Sequence, residues 1–272
     1  MAGLVATLVA AAVLTARSAR PFGHPSPGKA YPERENFTLW LVEEFGEPID
    51  LDADPVWTWS DGALPGGAVR FVKDGVKFEN GRLVLEAKTA EPGSPTQSCS
   101  HAEAAWIDDK PMVSGEMRAR HNMFRYGYYE AKMRTLGLRR HNTTASGGSV
   151  SSFSVFRDAR FKQWRDINIE LSDEPYASVT ARVLHANSVA HPGLEAEAHM
   201  SCSAGDRNLE DEFHTYAFEW LPTSITWYLD GVPIAHHASN EEPPIPELPG
   251  KVMMNLWVLD GGTGSGDVAA GG

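Results

Sequence analysis

Two cysteines in 272 residues, Cys99 and Cys202, are too few for a disulfide scaffold or a thiolate metal cluster. In an oxidising compartment they could form at most one staple. Basic runs are also missing. Lys and Arg number 24 against 36 Asp and Glu, for a formal charge of −12. That balance excludes a partner bound through clustered cations on a phosphate backbone, so no nucleic acid is expected. No stretch carries a long amphipathic helical stripe, and no internal repeat or second domain is visible. The adjacent His236-His237 lacks supporting Cys or carboxylate ligands, so neither a metal nor a cofactor is expected. The expected oligomeric state is a monomer.

What is present begins with an apolar run, Met1–Leu14. It is shorter than the roughly 20 residues that span a bilayer. It reads instead as a secretory leader over residues 1–18, with Ala16-Arg17-Ser18 as the cleavage site and no membrane anchor afterwards. Residues 19–36 are rich in Pro and Gly and read as a linker. Asn36-Phe37-Thr38 and Asn142-Thr143-Thr144 are acceptor triplets for N-glycans, which agrees with an extracellular or cell-wall location. The 259–272 tail is Gly-rich and of low complexity.

Between these ends, strand signals dominate. Phe71–Phe78 and Arg82–Ala87 flank Asn80-Gly81, a hairpin pair. Tyr126–Arg134, Val150–Phe156, Ser178–Leu184, Phe213–Trp220, Ile225–Leu229, Val232–Ala235 and Val252–Trp257 are further strands, with Asp230-Gly231 as a turn. Many short strands separated by turn residues predict an all-β sandwich. The most informative segment is Trp164-Arg165-Asp166-Ile167-Asn168-Ile169-Glu170-Leu171. Ile167, Ile169 and Leu171 share one parity; Trp164, Asp166, Asn168 and Glu170 share the other. A strand sends alternate side chains to opposite faces. One face therefore serves a core, and the other shows two carboxylates, an amide and an aromatic ring. A half-buried strand with a polar outer face accounts for the same pattern.

The surrounding blocks decide between these readings. Ser114-Gly-Glu-Met-Arg118 followed by Tyr126–Arg134 resembles the paired cleft-lining strands of glycoside hydrolase family 16, the laminarinase and licheninase type of endo-β-glucanase. Val150–Phe153, Phe213–Trp220, Ile225–Gly231 and Met253-Met-Asn-Leu-Trp257 resemble its later segments, in the same order. The resemblance covers roughly residues 40–258. It implies a jelly roll of two curved antiparallel sheets, similar to concanavalin A, with a glycan cleft on the concave face and the catalytic domain over 37–258. It also implies a polysaccharide substrate. The family's catalytic strand reads Glu-x-Asp-x-Glu, and the matching positions here are Asp166, Asn168 and Glu170. The resemblance makes Asp166 the nucleophile, Asn168 the helper and Glu170 the general acid/base. It places Glu116, Arg118, Phe156, Trp164, Asn255 and Trp257 against sugar. Trp220 and Trp227 read as core, and His214 as a hydrogen-bonded packing residue. The family's final strand is absent after Trp257, so either the sequence is truncated or the N-terminal region fills the gap.

Two of the three acidic positions depart from the family. Retaining hydrolysis needs carboxyls about 5–5.5 Å apart. Strand positions i and i+4 are separated by about 13 Å of backbone, which long side chains on a curved strand must close. An Asp carboxylate sits back by about 1–1.5 Å, one C–C length. Asn168 can still donate a hydrogen bond to Asp166 but carries no charge. Three outcomes stay open: a retaining hydrolase of reduced rate, a lectin-like binder on the same fold, and an inverting enzyme with water between the carboxyls. A polysaccharide lyase is the rival from another class. Ala181-Arg182-Val183 also departs from the family, and Arg182 there would suit a charged glycan.

Overall fold

The computed structural model describes residues 4–15, 22–63, 68–90, 110–134, 149–157, 165–172, 176–183, 196–203, 212–241 and 244–258, with only the backbone for 4–15, 63, 172, 176–183 and 196–203. The first half of the chain forms β1 (Leu4–Thr15), β2 (Phe22–His24), β3 (Thr38–Glu43), β4 (Trp57–Trp59), β5 (Gly62–Ala63), β6 (Val69–Phe71), β7 (Val76–Phe78), β8 (Leu83–Thr89), β9 (Met112–Ser114) and β10 (Glu116–Ala119). The second half forms β11 (Gly127–Arg134), β12 (Ser149–Arg157), β13 (Arg165–Ser172), β14 (Tyr176–Val183), β15 (Ala196–Ser203), β16 (His214–Trp220), β17 (Ser224–Leu229), β18 (Val232–Ala238) and β19 (Lys251–Val258). One 3-10 turn, Lys73–Gly75, is the sole helical element among the described residues.

These strands make two sheets. The seven-stranded sheet runs β15-β14-β13-β12-β19-β10-β4. The twelve-stranded sheet follows β18-β17-β16-β11-β1-β8-β9-β6-β5, with β2, β3 and β7 attached beside it. The expected all-β sandwich is what forms. Its core lies between the sheets and is built from alternate residues: Phe153 and Val155 of β12, Ile167 and Ile169 of β13, Met254 and Leu256 of β19, facing Tyr129, Phe218, Trp220 and Trp227. Tyr129 stacks on Phe218 with ring centres 4.9 Å apart. Trp220 and Trp227 are buried as expected, and each indole N–H finds an acceptor: Pro246 O at 2.8 Å and Asn168 O at 3.2 Å. Leaving such a donor unpaired in a core would be costly.

Turn chemistry behaves as the sequence predicts at two places. Asn80 and Gly81 have φ of 53° and 70°, and Asp230 and Gly231 have 51° and 77°. Both pairs supply the left-handed dihedrals of a tight hairpin. His214 is held by Asp230 across that second turn, Nδ1 to Oδ2 at 2.8 Å. Two expectations need correction. Phe71–Phe78 is not one strand; the 3-10 turn splits it, because Gly75 packs against Gly115 too closely for a side chain. A Cβ on Gly75 would lie only 2.4 Å from the Gly115 nitrogen. The strands around Ser114–Arg118 and Tyr126–Arg134 do not pair with each other. β10 pairs with β19 and β4 in one sheet, and β11 pairs with β16 and β1 in the other.

The N-terminal apolar run occupies a sheet position. β1 pairs along β11 on one side, and with β8 and then β3 on the other. Inside 19–36, β2 runs parallel to β3. It is pinned by His24, whose Nδ1 lies 2.7 Å from Oε2 of the fully buried Glu43. Glu43 also accepts from the Trp57 indole at 2.9 Å and the Phe45 amide at 3.1 Å. Burial pushes the Glu43 carboxyl above its ordinary range, against the pull of His24.

The alternation in β13 gives a direct test of core assignment. Ile169→Ala should cost about 2–5 kcal/mol, the usual range for a buried aliphatic truncated to Ala. Lys132→Ala, on the exposed parity of β11, should stay within about 0.5 kcal/mol. Urea unfolding of the full chain measures both, and equal effects would contradict the placement of Ile169.

Candidate active site

Strand register, more than any loop, assembles the site. Across β10, β19, β12 and β13, the residues Glu116, Asn255, Ser152 and Glu170 stand directly opposite one another in turn. The next row is Arg118, Met253, Ser154 and Asn168. The row after that is Lys251, Phe156 and Asp166. Neighbouring strands lie about 4.8 Å apart, so the predicted residues form a grid on one face of the seven-stranded sheet. Its opposite face carries the isoleucines of β13 and Met254 of the core. The two-residue period of each strand produces this separation without any special backbone geometry.

Burial differs across the grid. Asp166 is 2 % exposed and Asn168 is 7 % exposed, while Glu170 is half-buried. The position that the resemblance assigns to the acid/base is thus the more open one. Arg165 is buried at the sandwich end beside Asp166, directly across from Arg157. Desolvation, with the like charge of Arg157, lowers the Arg165 proton affinity, while Glu247 opposes the shift. Arg157 donates to Pro249 O at 2.8 Å. Arg182 of β14 stands in register with Asp166; its side chain lies outside the described atoms, as does the whole of Trp164 and Cys99.

Glu116 is the most constrained polar group of the grid. It is 2 % exposed and accepts from Asn255 Nδ2 at 3.1 Å. Arg118 NH1 lies 3.8 Å from its other oxygen. Burial raises its carboxyl above the ordinary range, opposed by the Arg118 charge, the Asn255 and Ser60 hydrogen bonds and the Lys251 charge. Asn255 is itself 7 % exposed. Phe156 and Trp257 are half-buried, and Trp257 also leans on the core. Sequence reasoning did not single out Ser60, Ser152, Ser154 or Lys251. The serines were visible as alternate positions of Val150–Phe156, but their partners come from β13 and β19, and topology alone places those two strands on either side of β12. Ser60 follows the end of β4 and had no sequence signal.

Chemically, the grid offers carboxylates, an amide, hydroxyls and half-buried aromatics on one polar face, and no group of acidic, His or Cys residues suited to a metal among the described residues. A two-sheet sandwich with this acidic strand inside one sheet is the architecture that the resemblance to a glycosidase family implies. The family model described as "Glycosyl hydrolases family 16" matches residues 69–269, and the chain belongs to that family. A "Beta-glucanase" of Paenibacillus polymyxa is 37 % identical over 217 residues, 78 % of this chain and 75 % of the relative. One from Paenibacillus macerans is 32 % identical over 227 residues, 82 % of this chain and 78 % of the relative. Among solved structures, Bacillus licheniformis beta-glucanase superposes with a TM-score of 0.54 at 23 % identity, covering 78 % of this chain and 82 % of that one. That last likeness is one of fold.

The buried Glu116 carries a pH signature. Between the ordinary value of 4.5 and the raised folded value, the folded protein holds a proton that the unfolded chain has released. Stability therefore falls as pH rises through that window and is full below it. Glu116→Gln removes this slope. Urea midpoints of the variant and the wild type should diverge in the variant's favour as pH is raised from about 4 to about 7; parallel curves would contradict the burial of this carboxyl.

Proposed function

We propose that the chain hydrolyses O-glycosyl bonds within a β-glucan-type polysaccharide, by a retaining two-carboxylate mechanism at a reduced rate. The observation that carries this reading is the shared face of Asp166, Asn168 and Glu170 on β13, continued across the sheet by Ser152, Asn255 and Glu116. The relatives named beta-glucanases support the substrate class.

In the first step the Asp166 carboxylate attacks the anomeric carbon while Glu170 passes its proton to the departing glycosidic oxygen. In the second, Glu170 as a carboxylate takes a proton from water, whose oxygen replaces Asp166 at the same carbon. Asn168 lies between them on the same strand face, where its amide would donate to Asp166 in place of a shared proton. Glu116, Arg118, Asn255, Phe156, Trp164 and Trp257 position the sugar, with polar groups meeting hydroxyls and aromatic faces meeting C–H surfaces. The reduced rate follows from the shorter Asp166 arm, since misplacement by about 1 Å costs on the order of 100-fold.

The test is release of reducing ends from laminarin, lichenan and xyloglucan. Glu170→Gln should lower it by about 100- to 10,000-fold, the span of general acid–base contributions. The double change Asp166→Glu with Asn168→Asp should raise it by up to about 100-fold. Glucan binding with no product beyond the Glu170→Gln background would replace this reading with the lectin-like one.

We also propose that the protein is exported and acts as a monomer. Asn36 is exposed beside a turn closed by Phe37 N to Arg34 O at 3.1 Å, a geometry open to a glycan. Export with cleavage after Ser18 would remove β1 from between β8 and β11. Mass spectrometry of protein recovered from the medium should find Ala19 at the N-terminus. A secreted chain that retains Met1–Ser18 would overturn the leader reading and leave β1 in the sheet.

A further inference from the structure

The outer face of the twelve-stranded sheet holds a cavity of about 220 Å³ on the side of the molecule away from the acidic grid. It is lined by Lys77, Glu79, Asn80, Arg82, Glu86 and Arg134, floored by Val84. The parity of the strands puts it there. Leu83, Leu85 and Ala87 of β8 and Met133 of β11 belong to the core, so Val84, Glu86 and Arg134 face the other way. The hairpin turn at Asn80-Gly81 closes one side.

We propose that this cavity is a second, non-catalytic sugar site that takes one neutral glucose unit of the polysaccharide; the ligand class rests on the function proposed above. The lining is mixed in a particular way. Lys77, Arg82 and Arg134 are donors only, Glu79 and Glu86 as carboxylates are acceptors only, and Asn80 is both. A sugar hydroxyl donates and accepts, so neighbouring hydroxyls of one ring satisfy both kinds at once. A sulfated or carboxylated ligand brings mainly acceptors. It would leave Glu79 facing further acceptors in a chain of net charge −12.

The cations are held in advance. The guanidinium groups of Arg82 and Arg134 lie 5.4 and 5.0 Å from the centre of the same Phe213 ring. An aromatic face stabilises a cation at this range, and fixing both long side chains before binding lowers the ordering cost of association. Lys77 Nζ is 2.5 Å from Glu86 Oε2, which neutralises that pair and leaves the two arginines as the donors for a ligand. The Nε of Arg134 is buried with no hydrogen-bond partner among the described residues. The open cavity has room for a sugar ring above Val84.

Calorimetric titration of the full chain, residues 1–18 retained because β1 lies between β8 and β11 across the cavity, with a β-linked glucose hexasaccharide in the Glu170→Gln background to prevent turnover, tests the site. Two binding events are expected, and Arg82→Ala with Arg134→Ala should leave one. The lost event should be weakened by at least about tenfold, as expected when hydrogen bonds to charged donors are removed. Arg82→Ala alone, at an exposed position, should give a partial loss without any question of folding. If the protein binds nothing in its cleft, a single event remains that the arginine changes abolish; this sinks the proposed function and keeps the outer site. Titrations that the arginine changes leave untouched overturn the proposal. So does an outer site that binds only sulfated or carboxylated oligosaccharides and no neutral one.

Discussion

The structure depends on the register of one strand. β13 is bonded on both sides, to β12 along Arg165–Ser172 and to β14 along Arg165–Leu171. Because side chains alternate with a period of two, a slip of one residue would send Asp166, Asn168 and Glu170 into the space now filled by Ile167, Ile169 and Leu171. Burying two unpaired carboxylates there would cost several kcal/mol each, and exposing the aliphatic residues would forfeit roughly 1.5–3 kcal/mol apiece. The register is therefore enforced by the core. The placement of the acids on the polar face is a consequence of hydrophobic packing on the other. Trp227 adds a polar tie from the opposite sheet by donating to the Asn168 carbonyl, so the middle of the acidic strand is fixed from behind.

The polar face has its own constraint, which is charge density under partial burial. Asp166 and Glu116 are each 2 % exposed, and a carboxylate out of water is stable only with donors or cations beside it. Glu116 has them in Asn255, Ser60, Arg118 and the field of Lys251, and still its proton affinity rises. A third carboxylate at position 168 would add a negative charge two residues from Asp166 on the same face. Asn168 avoids that repulsion and keeps a donor, at the expense of proton control. Under the proposed mechanism the amide is thus favourable for folding and unfavourable for acid–base chemistry, a conflict between stability and activity of the kind catalytic sites carry.

Much of this was legible in the sequence because periodicity is a local property. The β13 face, the strands at 149–157, 214–220, 224–229 and 251–258, and both Asx-Gly turns can each be read from a few consecutive residues. What was not legible is non-local. Ser114–Arg118 and Tyr126–Arg134 look like neighbours along the chain, yet the intervening residues carry it from one sheet to the other. The break inside Phe71–Phe78 arises from Gly75 meeting Gly115, forty residues on. The serines opposite Glu170 and Asn168 come from β12, and they gain meaning only when β13 and β19 are known to flank it.

The apolar segment Leu4–Thr15 shows why composition alone cannot assign a role. An interior strand takes continuous hydrophobicity rather than alternation where both of its faces are covered. A secretory leader needs the same thing over a similar length. The two roles place identical demands on residue type and differ only in whether partners are present. In the folded chain partners are present: β11 along one edge, β8 and β3 along the other. Without β1 those edges would be separated by about two strand spacings, close to 10 Å, and their backbone donors and acceptors would need water or another strand. Whatever completes that gap in the working protein also sets the curvature of the outer sheet. Through the shared core of Tyr129, Phe218 and Trp227, it bears on the strand that carries Asp166 and Glu170.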